Sequence, residues 1–160
     1  MFYGCTSLTS ISTFNTSNGT DFSFMFYNCP KIITIPALDT SKGTDFSSMF
    51  YSCSKLTSIP TLNTSNGTNF INMFAYCRAL TTIEGIDFSG ATSSISKDIF
   101  TSCNALTSLT VNGTIAKNID FTSAYNLDAA SCISIAKALV ENTSTLTITF
   151  NSTTYNNVLL

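Results

Sequence analysis

Met1, Met25, Met49 and Met73 stand 24 residues apart, and each is followed by a phenylalanine: Phe2, Phe26, Phe50 and Phe74. Cys5, Cys29, Cys53 and Cys77 keep the same interval. So do Leu8, Ile32, Leu56 and Leu80, and then Ile11, Ile35, Ile59 and Ile83. The tracts NTSNGTDF (15–22), DTSKGTDF (39–46) and NTSNGTNF (63–70) are near copies. A fourth unit is stretched to 26 residues, in which Ile99, Phe100, Cys103, Leu106 and Leu109 replay the pattern. A fixed period of this length marks a repeat array: one unit cannot bury its apolar face alone, and stacking of neighbours does so. No linker or change of composition divides the chain, which reads as one continuous array.

Each unit has two halves. In the first, Phe22, Met25, Phe26 and Cys29 fall at i, i+3, i+4 and i+7, the spacing of one face of a short helix. Thr20 stands where a helix N-cap would accept a backbone N–H, and Asp21 would face the positive end of the helix dipole. Thr44-Asp45 repeats the pair, and Thr68-Asn69 nearly does. Pro30 would end the helix. The second half, LTSIPTL (56–62) with its siblings IITIPAL and LTSISTF, has apolar residues at every third place. That fits the short strand and bend of a leucine-rich coil. Pro36 and Pro60 lack an N–H and mark the strand's end. The pairs Asn18-Gly19, Lys42-Gly43 and Asn66-Gly67 suggest a turn needing positive φ. Strand, turn and short helix make one solenoid coil of α/β type, and about five coils fit the chain.

These residues resemble the BspA-like bacterial surface leucine-rich repeats. The resemblance rests on MFYNC, ITIPALDTSKGTDFSSMFYSC and LTSIPTLNTSNGTNFINMF and covers roughly residues 1–110. It implies a right-handed solenoid displayed outside the cell, binding a protein or glycan of a host or neighbouring cell, with no catalytic site and no cofactor. Similar repeats also occur in phage tail-associated proteins, so a structural virion part is the alternative.

The array is expected over residues 1–126, closed by a capping helix and strand over 127–160 in the same domain. LDAASCISIAKALVEN (127–142) places Cys132, Ile135, Ala136 and Leu139 on one helical face, with Asp128 as N-cap and Lys137 towards the other end. TLTITF (145–150) alternates as a strand does. Met1 falls in mid-repeat, which suggests an uncapped end suited to end-to-end packing. MFYGCTSLTS shows neither a basic leader nor a long apolar stretch, so no signal peptide is expected there.

Composition narrows the function classes. Only 10% of residues are charged, against a usual ~25%. Thr, Ser and Asn together make up 64 of the 160 residues, so the polar surface is built from hydroxyls and amides. A net charge of −2 with 7 basic residues gives no electrostatic footprint for nucleic acid and no polybasic patch for an anionic membrane. No apolar run approaches the ~20 residues of a membrane span. Histidine is absent, which removes the Ser-His and Cys-His nucleophile pairs and imidazole metal ligands. No enzyme is expected.

Four groups invite a chemical reading. The cysteines, at one position of successive coils, would form a ladder at ~4.7–4.9 Å spacing. A disulfide wants Cβ atoms nearer ~3.8 Å, so the expected role is a column of small buried hydrophobes. No C-x2-C pair suggests zinc, and no metal site is expected. Asp21 and Asp45 could hold a cation but are read as helix-start residues. Asn15, Asn18, Asn63, Asn66, Asn112, Asn142 and Asn151 satisfy N-x-S/T, and four of them are repeat copies in the turn. Finally, between the inward Leu and Ile residues lie Thr9, Ser10, Thr34, Thr57, Ser58, Thr81, Thr82 and Thr107. Stacked coils would gather them into a hydroxyl-rich strand face, the candidate binding surface.

Overall fold

The computed structural model describes residues 1–93, 95, 97–115, 117–139 and 148–149. Its regular elements are β1 (Thr82–Asp87), a 3-10 turn (Lys97–Phe100), β2 (Ser108–Asn112), β3 (Ile119–Asp120), α1 (Ala129–Leu139) and β4 (Ile148–Thr149). β1 pairs with β2 and β3 with β4, both parallel.

Successive repeats lie in register, one upon the next. Phe2, Phe26, Phe50, Phe74, Phe100 and Phe121 form one row of stacked rings, with centroids 5.4, 5.6, 5.8, 6.1 and 5.6 Å apart. Phe22, Phe46 and Phe70 form a second row at 5.7 and 5.8 Å, closed edge-on by Phe88. Met25, Met49 and Met73 are buried beside them, and so are Cys29, Cys53, Cys77 and Cys103. The stretched unit keeps register: Phe100 stacks on Phe74, and Cys103, Leu106 and Leu109 are buried.

The first half of each repeat is not the expected helix. Residues 23–28, and their copies, form consecutive turns. Met25 N–H donates to the Phe22 carbonyl at 3.3 Å and Tyr27 N–H to the Phe24 carbonyl at 3.1 Å, both three residues back. Phe24 and Asn28 take positive φ, as do Ser48, Ser52, Asn72, Tyr76 and Ser102. A left-handed residue at these places stops an α-helix from propagating. It also frees alternate N–H groups to point out of the repeat. Phe22, Phe24, Phe26 and Asn28 donate to the carbonyls of Asp45, Ser47, Met49 and Tyr51 at 2.9, 3.0, 2.9 and 2.7 Å. The spacing of Phe22, Met25, Phe26 and Cys29 does bring all four into the core.

The capping roles change with the helix. Asp21 Oδ1 accepts from the Ser23 N–H, two residues on, and Asp45 and Asn69 repeat this with Ser47 and Ile71. Thr44 spends both its N–H and its hydroxyl on the Thr20 carbonyl, at 2.8 and 3.1 Å, and Thr68 does the same to Thr44. These threonines join repeats; they do not cap helices.

The glycines of the turn tract also have a different reason. Gly19, Gly43 and Gly67 donate their N–H to the carbonyls of Thr16, Thr40 and Thr64, and among the glycines positive φ is confined to Gly4, Gly85 and Gly113. What excludes a side chain is crowding. A Cβ on Gly43 would lie 2.5 Å from Phe46 Cζ and 2.9 Å from Phe22 Cδ2, and one on Gly67 2.4 Å from Phe70 Cζ.

The strand half is thin in the early repeats. Thr57 N–H reaches the Ile33 carbonyl, and Thr81 N–H the Thr57 carbonyl, at 3.1 and 3.2 Å. A continuous strand starts only at β1, where Glu84 stands at the repeat position of Pro36 and Pro60. Removing the proline restores a donor and lets the ladder run on to Asp87. A bulge at Gly85, φ +68, shifts the β1–β2 register between Ile83 and Ile86.

α1 begins at Ala129 with Asp128 as its cap, whose Oδ1 accepts from the Ser131 N–H and hydroxyl at 2.8 and 2.6 Å. The helix then completes the edge of β2: Leu109 N–H donates to Ser131 Oγ and Val111 N–H to Ser134 Oγ, at 2.8 and 2.9 Å. Of the strand expected over 145–150, Ile148–Thr149 pairs with Ile119–Asp120, and the remainder lies outside the described residues.

Phe50 touches ring neighbours on both sides and is fully buried. Phe50→Ala should therefore destabilise the protein by roughly 3–5 kcal/mol in chemical denaturation. Gly43→Ala should lower stability by about 1–3 kcal/mol through overpacking. An unchanged midpoint for the glycine variant would contradict the crowding argument.

Candidate functional site

Of the residues singled out by sequence, Thr57, Ser58, Thr81, Thr82 and Thr107 are joined across successive repeats. Thr9, Ser10, Thr34, Thr57, Ser58, Thr81 and Thr107 are exposed, and Thr82 is half-buried. Ser58 bridges to Thr82, and Thr82 pairs with Ser108 in β2. Thr57, Thr81 and Thr107 each direct the hydroxyl hydrogen at the carbonyl of the preceding repeat, at 3.4, 3.2 and 3.4 Å. These are long, weak bonds, yet each engages the one O–H donor of its threonine. At these three positions the wall offers a ligand chiefly oxygen lone pairs.

A second wall was missed by pattern reading. Tyr3, Tyr27 and Tyr51 stack at 4.8 and 4.7 Å, and Tyr76 meets Tyr51 edge-on. Phe24 leans over this row, 5.6 Å from Tyr27 with its plane turned by 51°. Phe24 has φ 54, where the sibling repeats place Ser48 (φ 53) and Asn72 (φ 57). Left-handed backbone costs a non-glycine residue about 1–2 kcal/mol, and a bulky side chain there is an outlier. Even so, Phe24 is 43% exposed and Ile71, whose sibling residues are Ser23 and Ser47, is 54% exposed. Phe24, Tyr27, Tyr51 and Ile71, with Ser47, Ser48, Asn69 and Asn72, line a groove of about 400 Å³. The signal was present in the sequence as a departure from the repeat, a small polar residue (Ser or Asn) replaced by a large apolar one at two places.

The remaining candidates have structural roles. Four buried thiols of the array donate to a phenylalanine carbonyl of the preceding repeat: Cys29 to Phe2, Cys53 to Phe26, Cys77 to Phe50 and Cys103 to Phe74, at 3.0 to 3.1 Å. All six cysteines are free. Burial pushes the Cys53 and Cys103 thiols up to about 12 and the Cys77 thiol well up from its ordinary value. Asp45 Oδ2 accepts from the Asn69 amide at 3.1 Å, and Asp21, Asp45 and Asn69 each also hold the turn two residues on. Of the N-x-S/T asparagines, Asn15 and Asn63 each accept from the backbone and hydroxyl of the serine two residues on. Asn18 accepts from Lys42 Nζ, Asn66 donates to the Ser41 carbonyl and Asn112 to the Gly85 carbonyl. Asn142 and Asn151 lie outside the described residues.

Two families match the chain. One, described as a Mycoplasma protein of unknown function, DUF285, matches residues 1–112. The other, the BspA type leucine rich repeat region, matches residues 71–157 in 6 copies. No curated protein and no solved structure matches it.

At about pH 8, iodoacetamide should leave Cys53, Cys77 and Cys103 unlabelled in the native protein and label them in denaturant, because the thiolate is the reactive form. The raised thiol pKa values also set a direction for stability. Below the ordinary thiol pKa both states hold the proton. Above it the unfolded chain loses protons that the folded chain keeps, so stability should fall from about pH 9 towards 12. A denaturation midpoint that stayed constant over that interval would contradict the buried thiol column.

Proposed function

We propose that this chain, which belongs to the BspA-type leucine-rich repeat family, is a non-enzymatic recognition module acting at a cell surface. In this reading it is a right-handed solenoid of about five coils, closed by the segment 127–160. It binds a protein or glycan of a host or neighbouring cell through the strand face. The observation that carries the reading is the exposure of Thr9, Ser10, Thr34, Thr57, Ser58, Thr81 and Thr107, with Thr82 half-buried beside them. Because the hydroxyls of Thr57, Thr81 and Thr107 donate inward, a partner meeting these three brings donors of its own, such as amide N–H groups or sugar hydroxyls. The absence of histidine supports a non-catalytic role.

A glycan and protein array probed with the purified chain identifies the partner. The double variant Thr57→Arg/Thr81→Arg should then abolish binding while leaving the circular-dichroism melt nearly unchanged. With so few charges, affinity should vary little between low and high salt. Intact binding by the double variant, or a steep loss with salt, would move the contact to another surface.

A further inference from the structure

The aromatic groove is a second feature, independent of the strand face. We propose that it is a binding site for a neutral oligosaccharide, with Phe24 and Ile71 as its specificity-determining side chains.

Three observations carry this. The first is that at two positions lining this groove the sequence departs from its own repeat and exposes apolar surface. Phe24 replaces the residue type of Ser48 and Asn72 and takes a left-handed backbone that an aromatic side chain disfavours. Ile71 replaces that of Ser23 and Ser47 and is 54% exposed. Neither substitution contributes to the interior. Strain retained at an exposed residue points to function.

The second observation is the lining. Aromatic faces and an aliphatic side chain stand beside the hydroxyls of Ser47 and Ser48 and the amides of Asn69 and Asn72, with no Asp, Glu, Lys or Arg. Apolar faces suit the C–H faces of sugar rings, and hydroxyls and amides suit their O–H groups. An anionic glycan would call for Arg or Lys, which the lining lacks.

The third observation is size and backbone use. A groove of about 400 Å³ falls in the range of small-ligand clefts. A folded partner of ordinary interface size needs about 800 Å² per side, whereas the tyrosine column ends where Ala75 takes the position of Tyr27 and Tyr51. An extended peptide would seek free backbone groups. Here Phe24 N–H is held by the Ser47 carbonyl and Ser48 N–H by the Ile71 carbonyl. Recognition is left to side chains.

The chain has no tryptophan, so its emission comes from 6 tyrosines, of which Tyr27 and Tyr51 line the groove and are the ones a bound sugar would touch. Linear hexasaccharides of glucose and of N-acetylglucosamine, titrated to about 10 mM, should give a saturable change with at least one sugar. Phe24→Ser should weaken that binding at least about tenfold while melting at the same or a higher temperature, since it installs the sibling residue on a backbone that serine already tolerates at Ser48. Ile71→Ser serves as the second variant should Phe24→Ser fail to fold, and should weaken binding likewise. Thr57→Arg/Thr81→Arg should bind the sugar normally, which separates this site from the strand face. No saturable response to any sugar would overturn the proposal, and so would undiminished binding by both groove variants. So would an uncharged peptide library that yields a binder sensitive to Phe24→Ser where the sugars yield none.

Discussion

The N–H groups of Phe22, Phe24, Phe26 and Asn28 find their acceptors 23 residues further along the chain, in the next repeat. A buried backbone donor without a partner costs about 1–3 kcal/mol, so a repeat standing alone would be unstable twice over, in its hydrogen bonds and in its exposed phenylalanines. Stacking satisfies both at once. Once those bonds set the register, every like side chain must lie over its copy. The phenylalanine rows and the thiol column follow from that single alignment.

The same alignment explains why so much of the interior could be read from spacing, and why the local conformation could not. Phe22, Met25, Phe26 and Cys29 are buried as their intervals require. Intervals of three and four residues arise equally from a helix and from tandem turns, and only the hydrogen bonding separates them. The deciding residues, Phe24 and Asn28, have positive φ, and phenylalanine there is the last residue a propensity argument would choose. Gly43 was legible as a turn glycine, but its reason is the nearby Phe46 ring from its own turn and Phe22 from the repeat before, which no local pattern contains. Asp128 was legible as a cap because its role is wholly local.

The candidate surfaces divide in the same way. The threonine positions could be singled out because they repeat, and the groove was overlooked because it does not. An array built from near-identical units is expected to carry its particular chemistry where a unit breaks the rule. Phe24, Ile71 and the Glu84-Gly85 bulge are such breaks. Low charge adds to the contrast. A surface of hydroxyls and amides makes few strong contacts of its own, so two large apolar side chains change its character over a short distance.

The donor directions have an electrical consequence. Along the turn wall each repeat donates forward, Phe26 to Met49 and Phe50 to Met73. Along the threonine rows each repeat donates backward, Thr68 to Thr44 and Thr81 to Thr57. Peptide dipoles in the two walls therefore point in opposite senses along the axis of stacking. In a single α-helix aligned dipoles build partial charges of about half an electron at each terminus, whereas here the backward threonine rows oppose part of the forward turn row, so each added repeat contributes less to the charge at the ends than the forward bonds alone would.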